Sequence, residues 1–296
     1  MAFEVDAYRG VMVPLVTPFR DEALDLVALE SLVQWLLAAG VRGFLALGTT
    51  GEAAHVTEDE AVQVVRAAVH AAEGRVPVLA GTGRTSVRAT IEATRRLADA
   101  GADAAMILTP YYYRARMDGA ALRRFYAAVA DASPVPVFVY HMPGVTGIDL
   151  DAPTLVEIAR HPNVWGFKDS STEGGPLAGA LRSTRTCGLV GSGPRLVEGL
   201  DAGAAGGVLA IAHVIPEVCL EIHAAWTAGR KDDAEAAQQR AAGFARALRD
   251  WAVPGLKFAL GLRGHPAGLP RLPLEAQPPE VRTRIENALR AALGTD

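Results

Sequence analysis

From its start to about residue 230 the chain alternates short, densely apolar runs rich in β-branched residues with longer Ala/Leu/Arg segments whose apolar positions recur at helical spacing. Strands of a parallel sheet are buried on both faces and read as unbroken apolar runs, while the helices covering them keep one polar side. The alternation predicts strands over 11–16, 43–47, 76–80, 104–108, 135–140, 164–168, 188–191 and 207–210. Eight strands close a barrel, and a one-domain barrel takes roughly 250 residues, which a chain of 296 accommodates.

Helix boundaries are marked locally. Thr57, with Glu60 three positions on, can form a capping box ahead of a helix over 61–72. Gly40, Gly74 and Gly101 each follow a helical segment and suit a left-handed C-terminal cap. After Gly229 the strand pattern stops, and 231–250, 254–262 and 279–293 read as helices between Gly/Pro-rich turns. The expectation is an α/β fold: a (β/α)8 TIM barrel over 1–230 that holds the active site, followed by a C-terminal helical domain over 231–296. The pattern leaves open whether that appendix caps the barrel or mediates oligomerisation.

Charge and composition narrow the function. Twenty-nine basic against 33 acidic residues give a net charge of −4, which argues against nucleic acid or an anionic membrane as partner. Two cysteines, Cys187 and Cys219, show no metal-ligand spacing and fit a reducing compartment. No apolar run approaches the roughly 20 residues of a membrane span, and the acid-bearing N-terminus does not resemble a signal peptide. A soluble, cytoplasmic protein is expected. The seven histidines contain no HxH or HxxxH pair, which ranks a metal-dependent mechanism below one carried by side chains. One count stands out: Lys168, Lys231 and Lys257 are the only lysines, and every other cation is Arg. Arg cannot replace Lys where a neutral, nucleophilic amine is needed.

In a barrel of this kind the C-terminal strand ends face the active site. Here they carry Gly48-Thr49-Thr50-Gly51-Glu52, Thr109-Pro110-Tyr111-Tyr112-Tyr113, Tyr140-His141-Met142-Pro143, Lys168-Asp169-Ser170 and Gly191-Ser192-Gly193. Lys168 closes the apolar run Val164-Trp165-Gly166-Phe167. Such surroundings disfavour the ammonium and leave an amine able to attack a carbonyl and form a Schiff base. The structural alternative is a lysine that snorkels to the rim or pairs with Asp169. Tyr140, ending the preceding strand, is placed to shuttle a proton. The loop over 48–53 offers successive backbone N–H groups and two hydroxyls, an arrangement suited to a carboxylate. Gly48, Thr49, Thr50, Ser170, Ser192 and, at the eighth strand end, Leu209 form the candidate substrate-binding set. His141 and His213 read as structural. Lys231 reads as solvated and Lys257 as lying in the helical appendix, away from the strand ends.

These residues, in this order, resemble the pyruvate-dependent Schiff-base aldolase family that includes dihydrodipicolinate synthase and N-acetylneuraminate lyase. The resemblance is carried by GTTGEA at Gly48, TPYYYR at Thr109, YHMPGVTG at Tyr140, GFKDSS at Gly166 and VPGLK at Val253, and runs from Val11 to about Leu274. It implies a barrel with a C-terminal helical domain, assembled as a homotetramer of two tight dimers and working without a metal or organic cofactor. It also implies that Lys168 is the Schiff-base lysine, Tyr140 the general acid/base, and Thr49 with Thr50 the carboxylate-binding and proton-relay pair. Tyr112 matches the tyrosine inserted into the neighbouring subunit's site, and Ser170 a hydroxyl residue two positions beyond the lysine.

One departure bears on substrate. Val145 stands where dihydrodipicolinate synthases usually carry an Arg that grips the carboxylate of aspartate semialdehyde, and Val supplies no bidentate donor. Stretches such as YYYRARMDGAAL, TGIDL and HPNVWGFKDSS resemble 4-hydroxy-2-oxoglutarate aldolases. The function expected is therefore a class I lyase that makes or breaks a carbon–carbon bond of a 2-oxo acid with pyruvate as one partner, 4-hydroxy-2-oxoglutarate aldolase-like. The alternatives are a dihydrodipicolinate synthase condensing pyruvate with aspartate semialdehyde, and a non-catalytic 2-oxo acid binding protein, which would need no nucleophile.

Overall fold

The computed structural model describes residues 3–171, 175–184 and 186–295. All eight expected strands are present: β1 (Gly10–Met12), β2 (Phe44–Ala46), β3 (Val78–Gly81), β4 (Ala104–Leu108), β5 (Val137–His141), β6 (Val164–Asp169), β7 (Cys187–Val190) and β8 (Gly206–Val208). They pair in parallel in the order β1-β8-β7-β6-β5-β4-β3-β2. The two ends meet through a bridge between Val13 and Phe44, with Val13 N–H donating to Gly43 O at 3.0 Å and Leu45 N–H to Val13 O at 2.9 Å. The result is a (β/α)8 barrel. A short antiparallel hairpin, Phe19–Arg20 with Ala23–Leu24, follows β1 and is too brief to leave an alternation in the sequence.

The helix signals work as read, with one shift. Thr57 and Glu60 form the reciprocal capping box of helix Glu58–Ala72. Gly40 and Gly101 take positive φ, 98° and 105°. At the end of Glu58–Ala72 the left-handed turn begins one residue early, at Glu73 (φ 52°), and continues through Gly74 (φ 66°).

One layer of the barrel interior takes an inward side chain from each of seven strands: Met12, Leu45, Leu79, Met106, Phe138, Leu189 and Val208, each 0–1% exposed. The remaining strand, β6, contributes Gly166 to this layer. A Cβ there would sit 2.4 Å from the Phe138 ring and 2.3 Å from the carbonyl oxygen of Cys187, so a glycine makes room for the largest residue of the layer. Tyr8 closes the N-terminal end, its ring 5.0 Å from that of Phe138.

His213, after β8, ties the barrel closed on the other side. Its Nε2 accepts the Val16 N–H at 2.9 Å, which leaves Nδ1 as the protonated nitrogen facing Ala210 O at 2.9 Å. The structural role expected of it is the one observed.

Past the barrel lie Lys231–Ala247, Ala252–Leu262 and Pro279–Leu293. Lys231–Ala247 ends before the expected 250, with Asp250 in a left-handed turn (φ 69°), and packs against Pro216–Thr227 and Pro279–Leu293. Among the described residues no helix is long and apolar enough to cross a membrane.

Two stability effects follow. Gly166→Ala is expected to lower folding stability by about 1–3 kcal/mol through overpacking, read as a lower urea midpoint; an unchanged midpoint would contradict the tight Phe138 contact. Burial pushes His213 from 6.5 down to about 4. Since the folded-state value lies below the unfolded one, stability is complete above about pH 6.5 and declines as pH falls toward 4. His213→Gln should flatten that part of a urea-midpoint against pH profile, and an identical slope would count against the burial argument.

Candidate active site

Strand periodicity places the central pair. Side chains two apart on a strand point to the same face, so Tyr140 stands above Phe138 and Lys168 above Gly166, both inward and toward the C-terminal mouth. The β5–β6 register sets Tyr140 directly opposite Lys168. Both are 4% exposed, and Lys168 Nζ lies 4.2 Å from the centroid of the Tyr140 ring.

The Gly48–Glu52 loop closes over them. Its backbone turns tightly, with Gly51 N–H bonding Gly48 O at 3.1 Å and Glu52 N–H bonding Thr49 O at 3.2 Å. Thr49 Oγ1 comes to 3.3 Å from the Tyr140 hydroxyl, and both hydroxyls also reach Met142 Sδ. Thr50 sits half-buried in the same turn, and the contact to Tyr140 is made by Thr49 rather than by Thr50.

The other candidates are distributed as follows. Ser170 is half-buried, its Oγ without a hydrogen-bond partner among the described residues and packed so closely on Gly191 that a Cβ there would lie 1.8 Å away. Ser192 is half-buried after β7, and Gly48 is buried. Leu209, following β8, is fully buried in the apolar core. Tyr112 is 72% exposed and stacks edge-to-face with Tyr113 at 5.1 Å. A cleft of about 1280 Å³ opens above the strand ends, lined among others by Thr49, Tyr140, Tyr111, Arg84 and Val145. Lys168 does not reach that wall itself and lies against Tyr140, which does. Val145 is 51% exposed and presents only an aliphatic group.

Lys168 does not pair with Asp169. On the outer face of the same seam Asp169 Oδ1 accepts His141 Nδ1–H at 2.9 Å and Ser171 N–H at 2.9 Å, while Leu150 N–H donates to His141 Nε2 at 3.2 Å. Burial pushes the Asp169 carboxyl up, but the hydrogen bonds from His141 and Ser171 outweigh it and hold the group below its ordinary value. His141 is thus structural, as read.

Lys257 overturns its reading. It lies in helix Ala252–Leu262, yet that helix leans on the mouth, and Lys257 Nζ is 2.5 Å from Glu52 Oε1 with both side chains almost wholly buried. Burial lowers the pKa of this ammonium, with Glu52 opposing the shift. Glu52, last residue of the loop, adopts a left-handed backbone (φ 53°). Sequence reasoning missed this pair because its members are far apart along the chain; the rarity of lysine, and the presence of Glu52 in GTTGEA and Lys257 in VPGLK, were the signals available. Lys231 is 70% exposed beside Asp201, as expected.

Comparisons with known proteins agree with this geometry. The model of the dihydrodipicolinate synthetase family matches residues 7–292. A 4-hydroxy-tetrahydrodipicolinate synthase of Acidiphilium cryptum is 34% identical over 95% of this chain and 97% of its own length. An L-threo-3-deoxy-hexylosonate aldolase of Hypocrea jecorina is 34% identical over 96% of each chain. A crystal structure of the chloride-inhibited dihydrodipicolinate synthase of Acinetobacter baumannii, complexed with pyruvate, superposes with a TM-score of 0.90 at 32% identity, covering 96% of this chain and 98% of that one. By its barrel, its strand-end residues and these matches, the chain belongs to the dihydrodipicolinate synthetase family of carbon–carbon lyases.

Proposed function

We propose that this chain is a class I aldolase in which Lys168 forms a Schiff base with a 2-oxo acid and Tyr140 moves the proton, with 4-hydroxy-2-oxoglutarate or a close analogue as substrate. The observation that carries it is the juxtaposition of Lys168 Nζ with the Tyr140 ring at 4.2 Å and of the Tyr140 hydroxyl with Thr49 at 3.3 Å.

In the cleavage direction the Lys168 amine adds to the C2 carbonyl, and the carbinolamine loses water to give a protonated imine. Tyr140 takes the proton of the C4 hydroxyl as the C3–C4 bond breaks; that electron pair moves into the imine, leaving an enamine and releasing the C4 fragment as a carbonyl compound. Reprotonation at C3 and hydrolysis return pyruvate and the free amine. The loop turn begins at Gly51 N–H, so the N–H groups of Thr49 and Thr50, which no carbonyl takes up among the described residues, are available to the substrate carboxylate. Ser170 and Ser192 are assigned to the wall of this subsite, while Leu209, wholly within the apolar core, backs the eighth strand end without reaching the subsite.

The same reading makes the protein a cytoplasmic homotetramer of two tight dimers in which Tyr112 completes the proton path of a neighbouring copy, supported by the exposure of Tyr112 and Tyr113. The second reading, condensation of pyruvate with aspartate semialdehyde, is favoured by the names of several relatives and disfavoured by the exposed Val145.

A panel separates these: pyruvate release from 4-hydroxy-2-oxoglutarate and from L-threo-3-deoxy-hexylosonate, against pyruvate consumption with aspartate semialdehyde. Release from 4-hydroxy-2-oxoglutarate as the fastest reaction supports the proposal; turnover confined to the condensation would overturn it. Tyr140→Phe is expected to lower turnover roughly 100-fold or more while imine formation stays measurable, and unchanged turnover would remove Tyr140 from the mechanism.

A further inference from the structure

The carboxylate-binding loop is held from behind by the C-terminal part of the chain. Glu52 Oε1 meets Lys257 Nζ, while Glu52 Oε2 accepts the backbone N–H of Arg271 at 2.9 Å and faces His55 Nδ1 at 3.3 Å. Lys257 also donates to Leu269 O at 3.2 Å and lies 4.4 Å from the centroid of Phe19. The Arg271 guanidinium covers the other contacts of the same corner: it bonds Glu60, His55 O and Glu22 O. From Glu52 the path to the site is one hydrogen bond long, because its N–H holds the Thr49 carbonyl, and Thr49 Oγ1 touches Tyr140.

The geometry points to Glu52 and Lys257 as a positioning pair, through which the helical appendix fixes Thr49 and Thr50 for the carboxylate of the 2-oxo acid. A left-handed non-glycine backbone with a fully buried carboxylate is an arrangement that persists only where its surroundings over-determine it. Removing the cation leaves the buried Glu52 without its ionic partner, and the least constrained response is for the loop to swing toward solvent. Such a shift weakens carboxylate binding and leaves the Lys168 amine in place. The inference rests on the Schiff-base reading of Lys168.

The test uses the full-length protein and borohydride trapping with pyruvate, measured as the pyruvate concentration that gives half-maximal trapping and as the extent at saturation. Lys257→Met and Glu52→Gln are expected to raise the half-maximal concentration about ten- to a hundredfold, with saturating trapping retained and far-ultraviolet circular dichroism unchanged. The surface variant Lys231→Met keeps the parental value. The double variant Glu52→Gln/Lys257→Met has no unpaired buried charge, so it keeps the question answerable where a single variant does not fold; it should regain thermal stability and still bind pyruvate weakly. Parental half-saturation in any folded variant of Glu52 or Lys257, the double one included, overturns the pair as a positioning device. Failure of the parent itself to be trapped would instead remove the Schiff-base reading and this inference with it.

Discussion

Parallel hydrogen bonding between β5 and β6 sets Tyr140 opposite Lys168 and Phe138 opposite Gly166, and a slip of one residue in either strand would turn that strand's inward residues toward the helices and break both pairs. The register is held from two sides. Inside, the Phe138 ring occupies the space that only a glycine at 166 leaves open. Outside, the buried His141–Asp169 bond crosses the same seam one residue further on and is anchored by the backbone of Leu150 and Ser171. Packing and polar satisfaction thus specify one alignment, and the Lys168 amine and the Tyr140 phenol are neighbours as a consequence of it.

Burying charge near this mouth is costly, and the chain arranges each instance with several partners. Asp169 is fully provided with donors, which is why its carboxyl stays below the ordinary value despite burial. Glu52 and Lys257 share a corner with Arg271 and the aromatic face of Phe19. Replacing buried ion pairs by apolar residues is often neutral or stabilising, so their presence is better explained by geometry than by stability. In this barrel the geometry is that of the loop bearing Thr49.

Much of the fold was legible because it is local. Continuous apolar runs marked every barrel strand, the Thr57–Glu60 spacing marked a helix start, and Pro279–Leu293 matched its expected bounds. The position of Lys168 at the barrel mouth beside Tyr140 was legible because strand ends face the mouth in a barrel. What escaped was long-range. Arg271 lies 219 residues from the Glu52 it contacts, and no spacing in the sequence encodes such a meeting. The same holds for the choice between Thr49 and Thr50 at the Tyr140 hydroxyl, which depends on how a five-residue turn closes, and for the partner of Asp169, which a sequence offers equally to Lys168 and His141.

The account stands on Lys168 acting as the nucleophile. The most direct measurement is peptide mapping by mass spectrometry after incubating the protein with pyruvate and borohydride. A reduced pyruvyl adduct on Lys168, and on neither of the other two lysines, is the predicted result. No adduct, or one on Lys231 or Lys257, would contradict it.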